Sequence, residues 1–221
     1  MTGTDTGVGK TLVAAALLHG LARRGRRAVG MKPVATGCVS TPAGLRNDDA
    51  LSLASHASVP ADYEYINPYA FEPAIAPHIA AAEAGIDIDL AHIVRAFAQL
   101  AQRADCVVVE GVGGWRVPLN AREDVADLAR LLRLPVLLVV GVRLGCINHA
   151  RLTATAIMEA GLPWAGWVAS CIDAQMARVQ ENLIALEQML PAPRLGTLPF
   201  FDAACVEQAS DHLEHALALM A

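Results

Sequence analysis

The sequence predicts a doubly wound α/β fold with a mostly parallel sheet, and three observations carry that reading. Strand-like apolar runs alternate with helix-length amphipathic stretches along the chain, the pattern of βαβ units. One run, "LPVLLVVGV" from Leu134 to Val142, is apolar throughout, as in a strand covered by helices on both faces. The third observation is a glycine-rich stretch, "TGTDTGVGKT", that opens directly into a run of helix formers.

The elements follow in order. Lys10 to Arg24 has helical spacing, basic residues at its end and Gly25 as a stop. "RRAVGMKP" (Arg26 to Pro33) reads as a short strand, and Asp89 to Arg103 as a helix with Leu90, Ile93, Val94, Phe97 and Leu100 on one face. Then come a strand at "DCVVVEG", a helix over Asp124 to Arg133 and the strand "LPVLLVVG". A helix over Asn148 to Ala160, a strand at "WAGWVAS" and a helix over Met176 to Leu190 follow. A short strand at "RLGTLP" and one last helix from about Val206 complete the chain. Only Met1 and Thr2 precede the glycine loop, whereas a central strand usually has about 5–6 residues. The first strand is therefore expected to be truncated to one to three residues, with a natural start several residues upstream.

With no repeat or linker, 221 residues read as one domain over 1–221. The apolar run is nine residues long between Arg133 and Arg143, far short of the ~20 that span a bilayer, so no membrane partner is expected. A net charge of −5 disfavours a nucleic-acid groove. Five cysteines (Cys38, Cys106, Cys146, Cys171, Cys205), widely spaced and without CxxC pairs, point to a reduced, cytoplasmic protein, and no leader peptide is expected before a loop that starts at position 3.

In such folds ligands gather at the carboxyl ends of the strands. The glycine stretch departs from the usual G-x-x-x-x-G-K-[ST] phosphate loop, because its first glycine, Gly3, lies one place too early and leaves five residues before Gly9. The physics still suits an anion: Gly7 and Gly9 allow close backbone approach, and the helix from Lys10 directs its positive end at phosphate. Lys10 is placed to reach β- and γ-phosphates and Thr11 to ligate Mg²⁺. Glu110 ends the strand Val107–Val109 as a carboxylate for the same cation. Lys32 closes another strand beside Pro33, which on its own suits a solvated lysine as well as a catalytic one. In "LRNDDALSLA", Asp48 reads as an N-cap or first-turn acid, and Asp49 as either a further first-turn charge or a second magnesium ligand.

"TGTDTGVGKT", "MKPVATG", "GLRNDDAL", "VVEGVGGW" and "VVGVRLGCINHA" together resemble the dethiobiotin synthetase family, in order and over essentially the whole chain. The resemblance implies a P-loop NTPase-type domain that uses ATP and Mg²⁺ to join CO₂ to 7,8-diaminopelargonate, closing a ureido ring through a carbamate and a carbamic–phosphoric anhydride. It implies Lys10 and Lys32 as catalytic cations, and Thr11, Asp49 and Glu110 as magnesium ligands. The nucleotide falls to Gly7, Val8, Gly9, Lys10, Thr11, Leu12, Glu110, Gly113, Ser170, Cys171, Pro199, Phe200 and Phe201. The substrate falls to Thr36 and, across a homodimer interface, to Gly145, Cys146 and Asn148. Ser170 departs from the family's usual Asn, which reads the adenine edge. His78 reads as a structural helix-start residue, and His212 and His215, three apart on one helix, as solvent-facing. The rival class, regulatory ATPases of the partition and septum-site type, carries a lysine after the first loop glycine where Thr4 stands here, and its membrane-acting members end in a basic helix. The tail "VEQASDHLEHALALMA" has neither lysine nor arginine. Cobyrinate amide synthetases need a further glutaminase domain for which 221 residues leave no room.

Overall fold

A computed structural model describes residues 1–203 and 205–220. Strand β1 (Thr2–Gly3) runs into the glycine loop and helix α1 (Lys10–Arg23), and β2 (Ala28–Met31) follows. Next come β3 (Val34–Thr36), a hairpin of β4 (Val39–Thr41) and β5 (Gly44–Arg46), and α2 (Asp48–His56). The short elements α3 (Tyr63–Ile66), β6 (Tyr69–Phe71) and α4 (Pro77–Glu83) lead to α5 (Leu90–Ala101). The second half is regular: β7 (Cys106–Val109), α6 (Val125–Leu132), β8 (Val136–Val142), α7 (Cys146–Glu159), β9 (Trp164–Cys171), α8 (Val179–Met189) and β10 (Arg194–Leu198). Two helices, α9 (Val206–Asp211) and α10 (Glu214–Leu219), end it.

The α/β reading holds, with a parallel sheet whose ladder falls into two parts. One has the order β1-β8-β9-β10 and the other pairs β2 with β7, all parallel. They meet at the chain start, where the Met1 ammonium donates to the Val109 carbonyl at 2.6 Å and the Gly111 N–H to the Met1 carbonyl at 3.0 Å. At two residues β1 is as short as expected, so it cannot zip β7 to β8. β3 and β6 form a separate parallel pair, and β4 and β5 an antiparallel one.

All seven residues of β8 are buried, as its uninterrupted apolar run requires. The core has three lobes: α1 with α9 and α10 over one face, α5 with the α3–α4 region around β2, and α7 with α8 behind β8 and β9. Helix starts match the sequence chemistry. Asp89 caps α5, and Asp124 with Asp127 forms a reciprocal capping box on α6. The expectation of one last helix is corrected: the backbone leaves helical geometry at His212 and Leu213. Gly196 of β10 makes room for the break, since a Cβ there would sit 2.5 Å from the His212 carbonyl. No helix among the described residues is long and apolar enough to cross a membrane.

Candidate active site

The glycine loop spans the carboxyl edge of the sheet between β1 and α1. Gly7 (φ 72°) and Gly9 (φ 89°) adopt left-handed backbone, where a side chain would strain the turn. The loop is seated from below. Val8 is 1% exposed and packs over Gly141 of β8, where a Cβ would lie 2.7 Å from its Cγ1. A Cβ on Gly9 would lie 2.6 Å from Ser170 Oγ at the end of β9. The Thr4 N–H donates to the Val139 carbonyl, and the Gly141 N–H donates to Thr4 Oγ1. Val8 therefore gives its side chain to the core.

At the far end of the loop Lys10 folds back, its Nζ donating to the Asp5 carbonyl at 2.8 Å. Burial, reinforced by the nearby Lys32 charge, lowers its pKa from 10.5 to about 8. Beside it four side chains converge from four places in the chain: Thr11 on α1, Lys32 after β2, Asp49 on α2 and Glu110 after β7. Lys32 Nζ lies 2.7 Å from both Asp49 Oδ2 and Glu110 Oε1, and Thr11 Oγ1 donates to that same Glu110 oxygen at 2.9 Å. Burial opposes the charge on Lys32, but the carboxylates of Glu110 and Asp49 prevail and raise its pKa. Burial would likewise raise the Asp49 pKa, yet the Lys32 ammonium outweighs it and holds the carboxyl below its ordinary value. Glu110 is 1% exposed, and its Oε2 is buried without a hydrogen-bond partner.

These groups line a cavity of about 810 Å³ with Gly7, Gly9, Thr36 and Gly113. A second cavity, about 200 Å³, begins on the other side of Gly7 and Gly9 and is lined by Leu12, Ser170, Cys171 and Pro199–Phe201. The expected phosphate, metal and carbamate residues thus surround one space, and the base-side residues an adjoining one. Gly145 and Asn148 line a separate hollow with Arg151 and Leu152, while the Cys146 side chain is buried in the core. Within this chain the structure does not bring these three to the main cavity.

The sequence reading missed part of the wall. Asn47, rather than Asp48, caps α2, its Oδ1 accepting from the Ala50 N–H, and this leaves Asp48 and Asp49 as first-turn acids. Thr6, Val112, Val117 and the stretch Ala74–Pro77 complete the cavity. The directly preceding Asn was the available signal for the cap. The three residues Ala74–Ala76 between two prolines are too few to carry a periodic signal. His78 lies in the first turn of α4, with Nδ1 buried and unpartnered. His212 and His215 are exposed and stand on different sides of the helix break.

Comparison with known proteins adds independent information. The AAA domain family matches residues 1–205. ATP-dependent dethiobiotin synthetase BioD of Xanthomonas campestris pv. campestris is 54% identical over 213 residues, 96% of this chain and 95% of that protein. The proteins of the same name from Xylella fastidiosa and Pseudomonas aeruginosa are 57% and 54% identical, covering 90% and 97% of this chain and 88% and 94% of their own lengths. Among solved structures, the MinD cell division protein of Aquifex aeolicus superposes with a TM-score of 0.61 at 16% identity, covering 99% of this chain and 94% of its own. A ParA family ATPase from Chlorobium tepidum gives 0.55 at 14%, covering 99% and 90%. At that identity the two share the fold alone, so they lend the rival regulatory class no support.

Proposed function

This chain belongs to the ATP-dependent dethiobiotin synthetase family and is a ligase of biotin synthesis, and we propose that the cavity around Lys10, Thr11, Lys32, Asp49 and Glu110 is where it closes the ureido ring. The observation that carries the proposal is Lys32, held between two carboxylates beside a phosphate loop at the mouth of an 810 Å³ cavity.

The reaction needs no protein nucleophile. One amine of 7,8-diaminopelargonate adds to CO₂, losing a proton and giving a carbamate. A carbamate oxygen attacks the γ-phosphorus of ATP, ADP leaves, and a carbamic–phosphoric anhydride remains. The second amine then attacks the carbonyl carbon and expels phosphate, closing the ring. Two anions must therefore meet. Lys10 and the loop N–H groups hold the phosphates, and Lys32, with Thr36 on the same wall, orients the carbamate. Such positioning contributes up to about 7–11 kcal/mol, and one donor aimed at developing charge about 3–4 kcal/mol.

A Mg²⁺ ion fits this donor set. Thr11, Asp49 and Glu110 offer hard oxygens, and the buried Oε2 of Glu110 has no partner. The charges of Lys10 and Lys32 are already balanced by Asp49 and Glu110, so a triphosphate entering here needs further positive charge. The ion would neutralise oxygens on the transferring phosphoryl group. Ser170, Cys171, Leu12 and Pro199–Phe201 border the base, with stacking on the aromatic loop taking over part of the recognition that an Asn would supply.

We further propose a homodimer in which Gly145, Cys146 and Asn148 serve the partner's cavity. Support comes from their position outside this chain's own cavity, at the start of a 14-residue helix flanked by Leu144, 92% exposed, and by the exposed Leu152. Incubating the purified protein with ATP, bicarbonate and diaminopelargonate should give dethiobiotin by mass. Loss of turnover in Lys32→Gln should accompany it. ATP hydrolysis that is indifferent to the diamine would refute the assignment. Turnover by a species that light scattering shows to be monomeric would refute the shared site.

A further inference from the structure

We propose that Tyr63 and Asn67 are positioning residues for Lys32, joining its backbone to the helix that carries Asp49. The inference rests on the role for Lys32 given above.

Lys32 lies just beyond β2, where the ladder with β7 has ended, and the following Pro33 has no N–H to continue it. Both of its backbone groups nonetheless find partners in one short segment. Its N–H donates to the Ile66 carbonyl at 2.7 Å, and its carbonyl accepts from Asn67 Nδ2 at 2.7 Å. The second proton of that amide goes to the Tyr69 carbonyl at 3.0 Å. Asn67 is buried, and only an amide supplies two donors and an acceptor at this spot. An acid or an aliphatic residue would leave two carbonyls facing it without partners.

The acceptor end leads to Asp49. Asn67 Oδ1 accepts from the Tyr63 hydroxyl at 3.3 Å, and that hydroxyl accepts in turn from the Asn47 N–H at 2.9 Å. Asn47 is the cap of α2, two residues before Asp49, and its Nδ2 donates to the Thr36 carbonyl at 3.4 Å. The Arg46 guanidinium lies 4.1 Å over the Tyr63 ring and holds the phenol in place. A single hydroxyl therefore links the backbone that presents Lys32 to the backbone that presents Asp49, while the two side chains meet at 2.7 Å in the cavity. Asn47 borders the cavity, whereas neither Tyr63 nor Asn67 lines it. They fix where the ammonium stands, to which transfer rates are sensitive on a sub-ångström scale.

The test compares Tyr63→Phe, Asn67→Ala and the control Tyr65→Ala. Tyr65 lies on the same short helix and packs on the core without joining the network. Tyr63→Phe, which removes two hydrogen bonds on the acceptor side of Asn67, should lower kcat about fivefold, and Asn67→Ala, which removes three including the one to the Lys32 carbonyl, about twentyfold or more, with KM for ATP unchanged. Tyr65→Ala should lower Tm at least as far as Tyr63→Phe and keep wild-type kcat. If Asn67→Ala does not fold, Tyr63→Phe decides alone. Wild-type kcat in Tyr63→Phe, or a kcat loss in Tyr65→Ala that tracks its Tm, overturns the inference while leaving the assignment of Lys32 intact. Full turnover by Lys32→Gln overturns both.

Discussion

The Arg143 guanidinium lies 2.7 Å from the carboxylate of Asp5, so the loop after β8 grips the glycine loop at its midpoint. The Asp5 side chain accepts from Arg143, while its backbone carbonyl accepts from Lys10. One residue thus connects the phosphate lysine to the segment that leads into α7. Both side chains are about half exposed, which keeps the pair's own stabilisation below about 1 kcal/mol. Arg143→Ala should therefore leave Tm within experimental scatter and raise KM for ATP about two- to fivefold, as a loosened loop binds phosphate less well. An unchanged KM would show that the loop holds its shape without the brace.

The lowered pKa of Lys10, about 8, gives a pH dependence with a definite sign. The ligand-free protein loses the Lys10 proton as pH rises through that value, whereas bound phosphate charge favours the protonated form. Binding above about pH 8 must therefore take up a proton, and ATP affinity should fall as pH rises. Titration calorimetry at pH 8.5 in buffers of different ionisation enthalpy should show proton uptake that disappears in Lys10→Ala. Equal heats in all buffers would contradict the shift.

Gly141→Ala probes the seat of the loop. Its Cβ would lie 2.7 Å from Val8 Cγ1 and 2.9 Å from Ile172 Cδ1, and such overpacking costs about 1–3 kcal/mol. KM for ATP should rise about tenfold, and adding Val8→Ala should restore much of it. A single variant with wild-type KM would mean that the loop does not rest on this contact.

For Ser170→Asn the expected result is a higher ATP-to-GTP ratio of kcat/KM, because an amide offers both a donor and an acceptor to a base edge. Ser170 Oγ points toward Gly9, so the longer side chain must turn into the base-side cavity. An unchanged ratio with a higher KM for both nucleotides would indicate that the new side chain pushes the loop instead.

Much of the site was legible because its chemistry stands at strand ends. Lys32 and Glu110 each follow an apolar run, the glycine loop announces itself by its own composition, and parallel topology gathers those strand ends whatever the intervening sequence. Asp49 was recognisable as a helix-start acid, yet its pairing with Lys32 depends on the bend through β4 and β5, which no apolar pattern announced. The break between α9 and α10 was hidden for a similar reason. Nothing in "ASDHLEHA" interrupts a helix, and the space that accommodates the break is left by Gly196, some sixteen residues upstream. The Ala74–Pro77 wall is likewise a product of tertiary placement, not of local preference.

The balance of two lysines against two carboxylates also governs how nucleotide arrives. A pocket whose side-chain charges balance, on a chain of net charge −5, offers an approaching polyanion little attraction beyond the short reach of the helix end and loop N–H groups. Capture then proceeds without electrostatic steering and should change little with ionic strength. Discrimination among anionic metabolites is consequently exercised after contact, through how long each one stays.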